Sequence, residues 1–229
     1  MRAGLAAALI LVGAGNALAA GEEDTDFLFR LGMIEGHLIV GHDLLAAGKP
    51  ELAIPHFGHP VRELYDDISG YLGEKHFPAF DRQLMRLEAT VTATPAGPEA
   101  ERQYQDVIQT IHRARETVPA PIRASVPEMI KVCADTIDAA SGEYGQAVNQ
   151  GRVDSLVEYH DSRGYVAYVG EEVERLQTQA SDPGLIARFK IVLAKAQWIV
   201  DPLTPPDPPR ASIAEYKAIA AEATAVAKQ

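Results

Sequence analysis

Four of the chain's seven histidines, His37, His42, His56 and His59, fall within residues 33–68, and the same stretch carries Glu35 and Glu63. His59 and Glu63 stand four apart, so a helix places an imidazole and a carboxylate on one face. His56 lies three residues before His59 and joins that face if the turn stays helical. Further back, His42 and Glu35 share one flank of an apolar helical stripe, and His37 occupies the other flank beside Ile34 and Gly41. Metal sites in helical bundles are commonly assembled from such i, i+3 and i, i+4 pairs on facing helices. Two or three imidazoles with one carboxylate suit iron, copper, zinc or nickel far better than calcium. The candidate ligands are His37, His56, His59 and Glu63, followed by His42 and His160. In the plainer reading the same histidines are surface groups or hydrogen-bonded core groups.

A second polar cluster surrounds His160 and Asp161, with Tyr159, Arg163 and Tyr165 close in sequence. It offers a further ligand or hydrogen-bond donors to an anion; alternatively it is the polar shoulder of an amphipathic helix. His76 and His112 stand alone. Other chemistries find no pattern to rest on. There is no GxSxG elbow, no HExxH, no CxxCH and no phosphate-cradling glycine loop, and Cys133 sits on an apolar stripe where a thiol usually packs. The expectation is a binding protein and not an enzyme.

The elements that must position these groups read as helices. Phe27, Leu31, Ile34, Leu38, Gly41 and Leu45 recur at steps of three and four, one face of a helix that Gly48 ends and Pro50 follows. Gly36 and Gly41 weaken that helix and suit it to a close backbone neighbour. Pro55 and Pro60 forbid one regular helix onward from Pro50, which predicts a break near Phe57-Gly58 and a new helix entered at Pro60. Later helices are predicted over residues 77–92, 98–117, 126–150, 153–180 and 183–200, with a final one capped by Ser212 and Glu215. Residues 201–209 are proline-dense and read as an extended strap. No stretch alternates with period two, so the fold class is all-α, a helical bundle of about seven to eight helices.

The two halves echo each other. Gly48-Lys49-Pro50-Glu51 has a counterpart in Gly151-Arg152-Val153-Asp154, and His56-Phe57 one in Tyr159-His160. A pseudo-symmetric bundle of two similar halves follows, with His56 and His160 in related places. The divisions are residues 1–19, 20–120, 121–200 and 201–229. The first is a cleaved signal peptide: Arg2, an apolar run over residues 5–12, and Ala17-Leu18-Ala19 as the cleavage site. The expected location is therefore the periplasm, with no membrane insertion after cleavage. One cysteine excludes an internal disulfide. The net charge of −11 argues against nucleic-acid binding and fits a cationic ligand.

An Ala-rich exported helical chain with two similar halves, and a helix–Gly–Lys joint followed by a His/Glu helix, resembles the imelysin-like proteins. The resemblance covers mainly residues 33–68. The GxHxxE motif of that family is not met: Gly36 and His37 are adjacent, and His59-Pro60-Val61-Arg62-Glu63 has one residue too many. The resemblance implies a two-halved bundle handling iron or copper, with a periplasmic or inner-membrane transport partner. The alternative function is a carrier or adaptor that binds an apolar ligand or partner protein between its halves, with Tyr65, Tyr71, Phe77 and Phe80 lining the pocket.

Overall fold

A computed structural model describes residues 8–95, 97–178 and 182–229, with side chains from residue 21 onward. The segment read as a signal peptide, residues 1–19, lies outside the fully described part. Helix α1 (Ala8–Ala46) is the axis of the molecule. Its expected stripe, Phe27, Leu31, Ile34 and Leu38, is buried, but so are Leu28, Val40 and Leu44 on other faces. The middle of α1, residues 31–41, is thus interior, while Glu22, Glu23 and Asp26 nearer its start are exposed. Here α2, α5, α7 and α8 all pack against α1.

Gly48, at φ +70°, takes the left-handed conformation that ends α1, and Lys49 N–H returns to Leu44 O at 2.9 Å. Helix α2 (Pro50–His59) then runs unbroken through Phe57 and Gly58, where the sequence predicts an interruption. The disturbance comes one step later. Pro60 has no N–H for the carbonyl four residues back and its ring crowds that carbonyl. The chain answers by widening into a π-turn (Pro60–Leu64), closed by Tyr65 N–H on Pro60 O, and continues as α3 (Tyr65–Glu74). Helices α4 (Asp81–Ala93) and α5 (Pro98–Arg115) follow, α4 against α2 and α5 against α4 and α1.

After a single turn, α6 (Ala120–Arg123), the Ser125 hydroxyl caps α7 (Val126–Ala147) by accepting Glu128 N–H at 3.4 Å. A minimal hairpin follows: Val148–Asn149 pairs antiparallel with Arg152–Val153, and Gln150 and Gly151 both have positive φ. Helix α8 (Leu156–Thr178) leads to α9 (Pro183–Val200), capped by Asp182, and the strap leads to α10 (Ile213–Ala227), capped by a Ser212–Glu215 box. Helices α7, α8, α9 and α10 close a ring of four, each against the next, and α1 lies on the α7–α8 face. The fold is an all-α helical bundle. Among the described residues, no helix is long and apolar enough to cross a membrane.

The strap is docked. Tyr159 O–H donates to Pro202 O at 2.9 Å, Arg163 Nε to Asp201 O at 3.1 Å, and Lys49 Nζ to Thr204 Oγ1 at 2.8 Å. The aromatic group near α3 is packing. Tyr65 meets Phe80 edge to face at 5.0 Å and accepts Phe80 N–H at 2.7 Å, while Tyr71 stacks on Phe27 at 4.1 Å.

Candidate metal centre

Where α1, α2 and α8 meet, three imidazoles converge on one carboxylate. His37 comes from α1, His56 and His59 from one face of α2, and Asp161 from α8. Both His37 Nδ1 and His56 Nδ1 lie 2.7 Å from Asp161 Oδ1, and His59 Nδ1 lies 3.3 Å from Oδ2, off line for a good hydrogen bond. One donor atom from each of the four residues falls within 4.8 Å of all the others. The side chains of His37, His56 and Asp161 are 2, 0 and 5 % exposed, whereas that of His59 is 16 % exposed and stands nearest solvent.

The sequence builds this junction from small residues. A Cβ on Gly164 would meet Gly36 O at 2.3 Å, and one on Gly36 would meet the Gly164 carbonyl at 3.1 Å. Helices α1 and α8 therefore cross backbone to backbone, and the residues beside those glycines, His37 and Tyr165, face each other. The Tyr165 hydroxyl is 2.9 Å from His37 Nε2, and Tyr165 follows Asp161 by one helical turn. Arg163 binds Asp43 at 2.6 Å across the same crossing.

The electrostatics follow from burial and pairing. Burial alone would raise Asp161, but the charge of His37 and the hydrogen bonds with His37 and His56, with His59 close beside, outweigh it and hold the carboxyl well below its usual range. Burial lowers His56, and the Asp161 carboxylate raises His59. His160 is pushed down to about 4, chiefly by burial. The result is an ionised carboxylate out of water, faced by imidazole nitrogens. Two of the cluster's ring nitrogens, His56 Nε2 and His59 Nδ1, are buried without a hydrogen-bond partner.

This donor set fits a first-row transition metal. Such metals hold imidazole and carboxylate ligands at about 2.0–2.2 Å, which spaces adjacent donor atoms by roughly 3 Å, and His/Asp sets suit iron, zinc, copper and nickel. Of the expected ligands, the structure brings His37, His56 and His59 together. Glu63 is not among them: it faces His59 Nε2 at 3.8 Å, the side of the ring away from Asp161, and is 57 % exposed. His42 lies elsewhere, 2.8 Å from Glu101 and stacked on Tyr104 at 4.2 Å. His160 turns its Nε2 to Leu203 O at 2.9 Å and stands beside His56 with ring centroids 5.7 Å apart. Asp161, in the sequence a member of the second polar cluster, stands here as the carboxylate of the site. Its signal was a run of polar and small residues, Tyr159 to Tyr165, inside a helix.

Fold and site thus define an all-α bundle with a buried three-histidine, one-aspartate cluster where α1, α2 and α8 meet. Residues 119–228, just under half of the chain, match the model of the iron permease-associated 4-helix bundle domain. The matched segment takes in α7, α8, α9 and α10, the strap and Asp161, but none of the three histidines. The match corrects the imelysin-like expectation, because it points to a different family and the stretch carrying that resemblance lies outside it. No curated protein and no solved structure matches the chain.

Proposed function

We propose that this is an exported periplasmic bundle that binds one iron ion between His37, His56, His59 and Asp161 and serves an inner-membrane iron permease. The observation that carries the reading is the convergence of three imidazole nitrogens from α1 and α2 on one buried carboxylate of α8. The similarity of residues 119–228 to a permease-associated domain supports iron over copper. The protein's part is binding, not catalysis. Asp161 is ionised before the cation arrives, and His56, lowered by burial, offers a neutral nitrogen at neutral pH. The carrier reading loses its pocket, since Tyr65 and Phe80 are core residues.

The test is elemental analysis of untagged protein purified from the periplasm, with iron(II) and zinc(II) titrations beside it. The parent is expected to carry near-stoichiometric metal, His56→Ala and Asp161→Ala to lose it, and His42→Ala and Glu63→Gln to keep it. A parent that takes up neither metal, or keeps it after Asp161→Ala, ends the proposal.

A further inference from the structure

Helix α9 is apolar on two faces. Phe189, Val192, Leu193 and Ala196 turn inward and are buried. On the outward side Ala187, Ile191, Ala194 and Trp198 recur at helical steps and form a second, exposed stripe. Ile191 and Trp198 are 63 and 58 % exposed, the highest of the large apolar side chains among the described residues. The strap holds the helix end that carries Trp198: Arg210 donates to the Trp198 carbonyl at 2.6 Å, and its guanidinium lies 5.4 Å from the ring centre. Beside the indole, Ile199, Ala211, Ala218 and Ile219 line an open groove of about 650 Å³ between α9 and α10. The flanks of the stripe are basic. Helix α9 carries exposed Arg188, Lys190 and Lys195 and no acid, in a chain whose net charge is −11. Lys195 is paired with Glu222 at 2.7 Å. Lys190 reaches only the neutral Gln177, at 3.2 Å, and among the described residues neither it nor Arg188 has an acidic partner.

We infer that the outer face of α9 docks on an anionic phospholipid surface, with Ile191 and Trp198 at the headgroup boundary and Arg188 and Lys190 against the lipid phosphates. That boundary accepts an apolar ring with one polar edge, and cationic heads on apolar stems. Charge decides the occupant. A second copy laid on the same face sets Arg188 and Lys190 against their own equivalents, whereas an anionic surface meets both with phosphate. Acids elsewhere on the chain do not cancel this attraction, because exposed charges more than ~8 Å away are screened at physiological salt. The helix lies on the surface and does not cross it, since no helix among the described residues is long and apolar enough. The inference does not depend on the metal-binding reading.

Trp198 is the chain's single tryptophan, so its emission reports on this face alone. Untagged protein purified from the periplasm is titrated with vesicles of equal parts phosphatidylcholine and phosphatidylglycerol, and with vesicles of phosphatidylcholine only. EDTA is present so that no cation bridges protein and lipid. Emission is expected to shift to the blue and saturate on the mixed vesicles, to stay unchanged on phosphatidylcholine, and to return at high salt. Arg188→Glu with Lys190→Glu should cut partitioning, read by co-sedimentation, at least ~30-fold, from about fivefold for each cation lost. Ile191→Ser should cut it about tenfold. Met85→Ser, which removes an exposed apolar side chain from α4, should bind like the parent. No blue shift on mixed vesicles, equal binding to phosphatidylcholine, sedimentation with Trp198 emission unchanged, or a charge-reversed variant that binds like the parent each overturns the inference. A blue shift that grows with protein concentration and needs no vesicle gives the face to a second copy and overturns it as well.

Discussion

At the scale of single residues, Asp161 shows why the site was only half legible. Three of its partners stood out, because histidines are rare and His56 and His59 keep helical spacing. An aspartate between a histidine and a serine looks like an ordinary polar shoulder. Only the fold, which buries Tyr159, His160, Asp161 and Ser162 in succession, shows that this stretch has no solvent side. Glu63 shows a related limit of spacing: sharing a face with His59 does not decide which ring nitrogen it meets, and here it meets Nε2. A further acid, Glu143 on α7, is pushed up to about 7, first by burial and then by Asp161, Glu158 and Glu63. Its sign is fixed. Below pH ~4 the group is protonated both folded and unfolded, and it contributes nothing. As pH rises to about 7 the unfolded chain ionises first, so the folded state loses stability, and the loss is constant above that. Glu143→Gln should therefore unfold like the parent at pH 4 but be more stable by about 1–2 kcal/mol at pH 8, after discounting for solvent screening. Urea denaturation at both pH values measures it; equal gains at the two would discard the assignment.

At the scale of elements, the caps and joints were readable because each is local chemistry: Ser212 with Glu215, and Gly48, stand where the sequence puts them. The rod from Pro50 was harder. A proline pair announces that a regular helix fails, but not whether the chain breaks or widens, and here it widened at Pro60–Leu64. The α1–α8 crossing was visible from one side only, through Gly36. Its counterpart Gly164 is decisive, since a methyl there would strike Gly36 O. Gly164→Ala should cost about 1–3 kcal/mol as overpacking and weaken metal binding by parting His37 from Asp161. Gly142→Ala, with open space around the added carbon, should be neutral or stabilising by about 0.5–1 kcal/mol. Thermal melts and zinc titration of the two variants separate these outcomes, and a Gly164→Ala protein that melts and binds like the parent would refute the tight crossing.

At the scale of the whole molecule, the all-α class was legible from periodicity. The central place of α1 was not, because a helix buried on several faces hides which neighbours cover it. The cluster spans α1, α2 and α8, so a cation bound there would tie the histidine-bearing helices to the four-helix ring. A metal that binds only the folded form stabilises it by about 2.7 kcal/mol when present at 100 times Kd. For a chain of this length that corresponds to roughly 5–10 °C in Tm. Calorimetry of the parent should show that rise with iron(II) or zinc(II), and Asp161→Asn should show none. An equal rise in the variant would place the cation elsewhere.

The pairing of His37 with Asp161 also bears on the order in which the protein comes into being. The two residues are separated by 124 positions, so the pair cannot close until most of the chain has been made and α8 has come home against α1. Contacts this distant in sequence form late, after loop-closure entropy has been overcome. The three histidines of the first half thus spend their early life without the carboxylate that completes the set. Assembly of all four groups is then a property of the finished chain alone, and one bound cation would report that α8 has docked on α1.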